Sequence, residues 1–368
     1  MGMCEIIDKG TLGAQLFTDL KSKKYKPATE FTLTLTKKAL TENMQSDNAC
    51  FEACAVILKS LGWKKIILEL NEEAKEYLDR FIQEIEINNL KNKIDEVERK
   101  NKERIKKHIR KKIYVFSSEE RHCLRFLYIV SRFYTQYKEK KWFIVDENLS
   151  SLFENFLNDI EKKQINLIND TPTRNAKTNP KYPESTVEAL MADHKNNVFW
   201  EALNGKTNDQ KISRQLPVGL YLGNHTKGKE CFPTGHIDLW TGNTEEIQVV
   251  ELKAENPMVG IITEIFFYSN FVRDLVWEHG AFTMNPPSKT EKVEKLRGYD
   301  TLFENAAEIK KINGIMLADS YDQLIKNDKG ILEVLSDNAI KEGPKITYSK
   351  ASYEITEIKD KDGIKKKP

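Results

Sequence analysis

Cysteine is scarce in this chain of 368 residues, with only Cys4, Cys50, Cys54, Cys123 and Cys231. An odd and scattered set does not make a disulfide framework, and it predicts reduced thiols and a cytoplasmic protein. No stretch approaches the roughly 18 to 20 uncharged apolar residues of a membrane span. The N-terminus, MGMCEIIDKG, has no basic flank followed by an apolar run, so neither membrane insertion nor secretion is expected. Charge of one sign is missing too. There are 58 basic residues against 56 acidic ones, a net charge of +2, so any affinity for nucleic acid has to come from local patches. No Gly-x-Ser-x-Gly elbow occurs and no cysteine has a local histidine partner, which removes support for covalent catalysis.

What is present is an ordinary globular composition, 39% hydrophobic and 31% charged, which excludes fibrous and disordered classes. At roughly 100 to 200 residues per domain, the length predicts about two domains. The segment from Asn169 to Pro180 is polar, carries two prolines and lacks apolar periodicity, as an exposed linker would. The expected division is therefore residues 1–170 and 171–368.

Before that division, apolar residues recur at helical spacing over 40–61, 72–112 and 118–138, with a shorter stretch at 149–165. This predicts a mainly helical N-terminal domain for recognition, dimerisation or sensing. Leu78, Ile82, Ile85, Leu90, Ile94, Val97, Ile105 and Ile109 give one long helix with a narrow apolar stripe, a candidate homodimer contact. Its end, residues 99–112, carries nine basic residues and one acid. Two readings stay open for that run, a phosphate-binding surface and a solvated face balanced by upstream acids. The terminal Lys365 to Pro368 reads as a frayed tail.

After the linker the pattern changes. Ser185 to Leu203 is helical, opened by Pro183 and a Ser185 cap. Leu216–Leu222, His236–Trp240 and Ile247–Leu252 are short β-rich runs between turn residues, Ile261–Trp277 is a strongly apolar helix, and Ile312–Ala318 is a buried strand. The order is α-β-β-β-α-β within a mixed α/β class. Side chains alternate across a strand, so His236, Asp238 and Trp240 share one face, as do Val249, Glu251 and Lys253. Paired as a hairpin, the two strands set Asp238 across from Glu251 with Cβ atoms roughly 5 Å apart. Two carboxylates that close take up a proton or hold a cation. Hard oxygen donors without thiolate or imidazole point to Mg²⁺ or Mn²⁺. Lys253, on the same face, would orient or deprotonate an attacking water and offset charge on a phosphorane.

Asp238, twelve intervening residues and then Glu251-Leu252-Lys253, set in that element order, resemble the PD-(D/E)XK nuclease superfamily over residues 183–320. The resemblance implies a restriction-endonuclease-like core and a metal-dependent nuclease with Glu188, Asp238 and Glu251 around the metal and Lys253 assisting the water. Glu184 and Glu201 are alternatives to Glu188. The family's proline before the first aspartate is replaced by Gly235-His236-Ile237. Glu264 and Tyr268, four residues apart on one helical face, resemble the Gln-x-x-x-Tyr element of the RecB-like and lambda-exonuclease branches with Glu in place of Gln. The resemblance also implies a nucleic-acid partner, DNA before RNA, and roles in restriction, defence or DNA processing. The alternatives are a non-catalytic binding or assembly protein on the same scaffold and an RNA-cleaving toxin of the same fold.

Other motifs carry less. Glu-x-Lys recurs at Glu139, Glu161, Glu308 and Glu357, none of them between an Asp-bearing apolar strand and an apolar helix. Gly223 to Lys229 fits Gly-x4-Gly-Lys, but Glu230 follows where Ser or Thr should bind Mg²⁺, so a hairpin loop is expected. His225, Cys231 and His236 lack a fourth zinc ligand. Cys50 and Cys54 read as core thiols, and His236 is either a satisfied strand histidine or a supporting residue of the site.

Overall fold

A computed structural model describes residues 7–107, 113–169, 183–193, 212–223, 229–233, 235–242, 245–287, 289, 297–327, 330–354, 358–359 and 365–366. The expected linker lies outside the described residues from position 170 onward, as do Glu201, His225 and the end of the basic run, residues 108–112. Among the described residues no helix is long and apolar enough to cross a membrane.

The molecule is mixed α/β, built on two principal sheets. The first part holds β1 (Ile7–Thr11), α1 (Ala14–Lys21), β2 (Glu30–Leu35), α2 (Lys37–Thr41), α3 (Phe51–Ser60), β3 (Lys65–Leu70), α4 (Glu72–Ile85), α5 (Ile87–Lys106), α6 (Ser118–Tyr137), β4 (Phe143–Val145) and α7 (Glu147–Glu161). Its content is mainly helical, as expected, but the strands form a four-stranded parallel sheet in the order β1-β2-β3-β4. Leu33 and Leu35 of β2 and Ile66 and Leu68 of β3 are fully or almost fully buried, so this sheet is part of the core.

The single long helix expected over 72–112 is two helices. Glu86 leaves the helical region with ψ 138, and α5 returns toward α4, where Lys93 reaches Glu84 at 3.1 Å. The fold-back consumes the apolar stripe: Leu78 and Ile85 are buried on α4 and Leu90 and Val97 on α5, while Ile105 stays 69% exposed. The gap in the stripe at Asn101 also has a reason. Its side chain donates to the main-chain oxygen of Ile113 (2.8 Å) and accepts from the amide of Ile113 (2.9 Å), tying down the return of the chain. Arg99 and Lys100 pair with Glu103 and Glu96, so part of the basic run is balanced along its own helix.

A short sheet then joins the two parts: β5 (Leu167–Asn169) pairs with β7 (Leu220–Leu222) and with β10 (Phe282–Met284). The second principal sheet has five strands in the order β12-β11-β9-β8-β6, namely Lys345–Ser352, Lys311–Ala318, Glu246–Lys253, His236–Gly242 and Ser213–Pro217. Strands β9, β11 and β12 run parallel, and β8 is antiparallel to both of its neighbours. Helix α8 (Pro183–Met191) covers one face, where Val187 and Met191 pack with Leu239, Val250 and Leu252. Helix α9 (Ile261–Val276) covers the other.

All sixteen residues of α9 are buried. A helix buried on every side needs walls on every side. Here β9 and β11 supply one wall, while α3 and α6 supply another through contacts such as Phe133 to Phe266, with ring centroids 5.3 Å apart. One apolar core therefore runs from Leu12, just after β1, to Tyr348 of β12 across the division near residue 170, with a smaller cluster under α8 on the other face of the second sheet.

Candidate functional site

The site lies where the β8–β9 ladder ends. Leu239 pairs with Val250, so Asp238, one step further, stands level with Glu251 across the two strands. There the side chain of Asp238 takes over from the ladder: its Oδ2 accepts the Leu252 amide at 2.9 Å. Two residues beyond Glu251, Lys253 turns to the same face and donates to Glu251 Oε1 at 2.5 Å. The first turn of α9 brings Glu264 under the ammonium, with Oε2 3.0 Å from Lys253 Nζ and Oε1 accepting from Gln45. Tyr268, one turn later, lines the same cavity.

Gly235 has a steric reason within this arrangement. A Cβ there would stand 3.1 Å from Val218 and 3.4 Å from the Tyr268 hydroxyl, so a side chain would press on the cavity wall.

The electrostatics are unbalanced. Asp238, Glu251, Glu264 and Glu184 all act on the single ammonium of Lys253, raising its pKa well above the usual lysine value against the opposing effect of burial. The carboxyls move the other way from ordinary acids. Burial, then the neighbouring carboxylates, hold Glu251 well above its usual range; burial chiefly lifts Asp238, with Glu184 and Glu264 adding to the rise. Glu184 is also raised, first by burial and further by Glu264. Among the described residues Glu251 Oε2 is buried without a hydrogen-bond partner, a costly state for a carboxylate oxygen.

Glu188 is placed differently from its neighbour Glu184. It is 4% exposed, its Oε2 accepts from Gln215 at 3.0 Å, and Arg214 lies 3.9 Å from Oε1. Burial pushes its carboxyl up to about 7. Both acids line the cavity, yet the one that acts on Asp238 and Lys253 is Glu184, one helical turn earlier. His236 is exposed at the cavity mouth.

The fit to a divalent cation divides accordingly. Asp238 and Glu251, with one orphaned oxygen, suit a hard cation in donor type and charge. Among the described residues, however, no three His, Cys, Asp or Glu side chains form a group that could hold a metal ion. Of the two roles expected of Lys253, the four acids around it favour the first, since they hold it as an ammonium that can orient a water.

Several residues of the site were not signalled by the strand motif. The cavity, of about 650 Å³, is closed on its far side by Asn43, Met44 and Gln45 from the loop after α2 and by His122 and Arg125 of α6. A trace of these was legible: Arg125 sits in a stretch of α6 buried on all sides, and a charge in such a stretch costs too much to be idle. Gln215 left no trace, since its role depends on a backbone φ of 55 that no pattern announces.

The weaker motifs resolve simply. Leu222 donates to the Lys229 oxygen and Tyr221 bridges Glu230, so Gly223 to Glu230 closes a hairpin whose tip, residues 224–228, lies outside the described residues. Glu230 pairs with Arg121 at 2.7 Å. Cys50, Cys54, Cys123 and Cys231 are buried free thiols. Comparison with known proteins finds no matching family model, no matching curated protein and no matching solved structure.

Proposed function

We propose that this chain is a metal-dependent nuclease hydrolysing phosphodiester bonds, with DNA as its substrate and the cytoplasm as its setting. The observation that carries the reading is the pairing of Asp238 with Glu251 at the end of a ladder, desolvated, mutually repelling and two residues from Lys253, inside an open cavity. Such a pair is stabilised by a divalent cation.

Asp238 and Glu251 would hold Mg²⁺ or Mn²⁺, with Glu184 or Glu188 joining from α8; the ion would supply Lewis-acid polarisation of a phosphoryl oxygen. Lys253 keeps its proton and orients the water, whose oxygen bonds to phosphorus while the water's proton ends on the departing leaving oxygen, and it offsets the charge that develops. Glu264 fixes the ammonium from below, and Tyr268, whose burial holds its hydroxyl protonated, is available as a donor. His236 sits where entering substrate would pass.

One observation favours a second reading, a nucleic-acid-binding or assembly protein on a catalytically silent scaffold. Lys253 already engages Glu251 and Glu264, at 2.5 and 3.0 Å. Incubation with plasmid, linear duplex, single-stranded DNA and RNA in Mg²⁺, Mn²⁺ or EDTA separates the readings. The nuclease cleaves in metal and not in EDTA, and Asp238→Ala and Lys253→Ala lose that cleavage. A wild type as inert as both variants leaves only the scaffold, and cleavage confined to RNA makes it an RNA-cleaving enzyme.

A further inference from the structure

Arg125 is 6% exposed, lines the cavity and makes no ion pair among the described residues. Its Nη2 spans the main-chain oxygen of Glu42 (3.1 Å) and Nδ1 of His122 (2.9 Å). Since a guanidinium has no acceptor, Nδ1 of His122 must accept, which fixes the neutral tautomer with its proton on Nε2. Burial and the two neighbouring arginines press the imidazole down to about 4, so it stays neutral near pH 7.

A buried arginine without a carboxylate partner is incomplete, because its fork matches two oxygens of an anion. Elsewhere in its lining the same cavity has the reverse imbalance, four acids around one lysine, and of these Glu264 acts on Arg125 without pairing with it. An anion lying between the two would complete one directly and, through a cation, the other.

We infer that Arg125 and His122 of the N-terminal part form the seat for a phosphate group of a nucleotide substrate, Arg125 by its guanidinium fork and His122 by its Nε2 proton. The inference rests on the nuclease reading for the identity of the substrate, but the seat itself is built by α6. Neither residue would touch the reacting bond; they are substrate-binding groups.

Calorimetric titration of the full chain in Ca²⁺ with thymidine 5′-monophosphate and with thymidine tests this. The nucleotide is expected to bind and the nucleoside not to. Arg125→Lys should weaken nucleotide binding about tenfold and His122→Ala roughly three- to tenfold, with the melting temperature of the histidine variant unchanged. Should Arg125→Lys fail to fold, His122→Ala decides alone. Unaltered nucleotide affinity in the variants, equal binding of the nucleoside, or no binding of either overturns the inference. Cleavage that persists with unchanged KM in both variants removes the seat and leaves the nuclease standing. Phosphate-dependent binding lost in the variants of a protein that cleaves nothing keeps the seat and removes the nuclease.

Discussion

Helix α9 carries a buried charge cluster at each end, ten residues and roughly 15 Å apart. At its C-terminal end Asp274 is fully satisfied. Arg132 forks onto its two oxygens at 2.6 and 2.7 Å, Tyr128 donates at 2.6 Å, and Arg132 also reaches Glu161 at 2.8 Å. Arg273 stands 3.3 Å from the same carboxylate, so two acids face two guanidinium groups. At the N-terminal end Glu264 joins three other acids around one ammonium, and Glu251 Oε2 has no hydrogen-bond partner among the described residues. A buried ionic cluster that closes on itself fastens α6 to α9. A cluster left one-sided has no such fastening to explain it, and that is the imbalance the proposed metal would relieve.

The sharpest way to separate the two clusters is to neutralise one acid in each. Asp238→Asn is expected to lower metal-dependent cleavage by at least roughly 10³-fold, about 4 kcal/mol of barrier. Thermal stability should hold or rise, because one of the crowded carboxylates is gone. Cleavage retained beside a fall in melting temperature would make the N-terminal cluster structural and break the contrast.

Asp274→Ala should do the reverse. It strips buried Arg132 of the carboxylate its fork engages and leaves it only the Glu161 contact, a loss of about 3–5 kcal/mol in urea unfolding. Replacing both partners, Arg132→Met with Asp274→Leu, should recover much of that loss, since the penalty belongs to the stranded charge and not to the pair. A double variant no better than the single one would show that the cluster does more than fasten two helices.

The contrast also separates what was legible in the sequence from what was not. The pairing of Asp238 with Glu251 follows from alternation and from a hairpin whose strands each carry a polar face, and the register agrees with it. The α9 helix announced itself by its strongly apolar composition, Ile, Phe, Val and Leu recurring through Ile261–Val276. The N-terminal sheet was hidden because strands such as Glu30–Leu35 are short and lie between helices whose stronger periodicity dominates any window. The break at Glu86 was hidden for a different reason: Glu86 is no helix breaker, and only the fold-back of α5 onto α4 rewards its extended ψ. Arg125, Arg132 and Gln45 reach their clusters through contacts that span many tens of residues or more, a separation at which local pattern is silent.

A third test asks whether the one-sided cluster accepts what it lacks. Mg²⁺ at about a hundredfold excess over its Kd should stabilise the fold by about 2.7 kcal/mol, seen as a rise in melting temperature that Asp238→Asn abolishes and Asp274→Asn does not. Because burial and repulsion raise the Asp238 and Glu251 pKa values, proton and metal compete, and the stabilisation should grow as pH rises. A shift independent of both pH and Asp238 would place the metal elsewhere.

Glu52 offers a smaller and intermediate case. It is buried in the first turn of α3, beside α9, where its carboxylate accepts from its own amide and from Thr263 Oγ1 at 3.0 Å. Burial pushes its carboxyl up to about 8, while the nearby Arg125 pulls the other way. An acid whose folded pKa exceeds its unfolded value holds a proton that the unfolded chain gives up, so its contribution to stability is complete below about pH 4.5 and lost as pH rises to about 8. Between pH 6 and pH 7 the fold should therefore lose about 1.4 kcal/mol through this one group. In Glu52→Gln the amide oxygen still accepts from Thr263, and that part of the pH dependence of urea unfolding should vanish. An unchanged slope would mean that Arg125 holds Glu52 ionised, and the arginine would then have its carboxylate partner already.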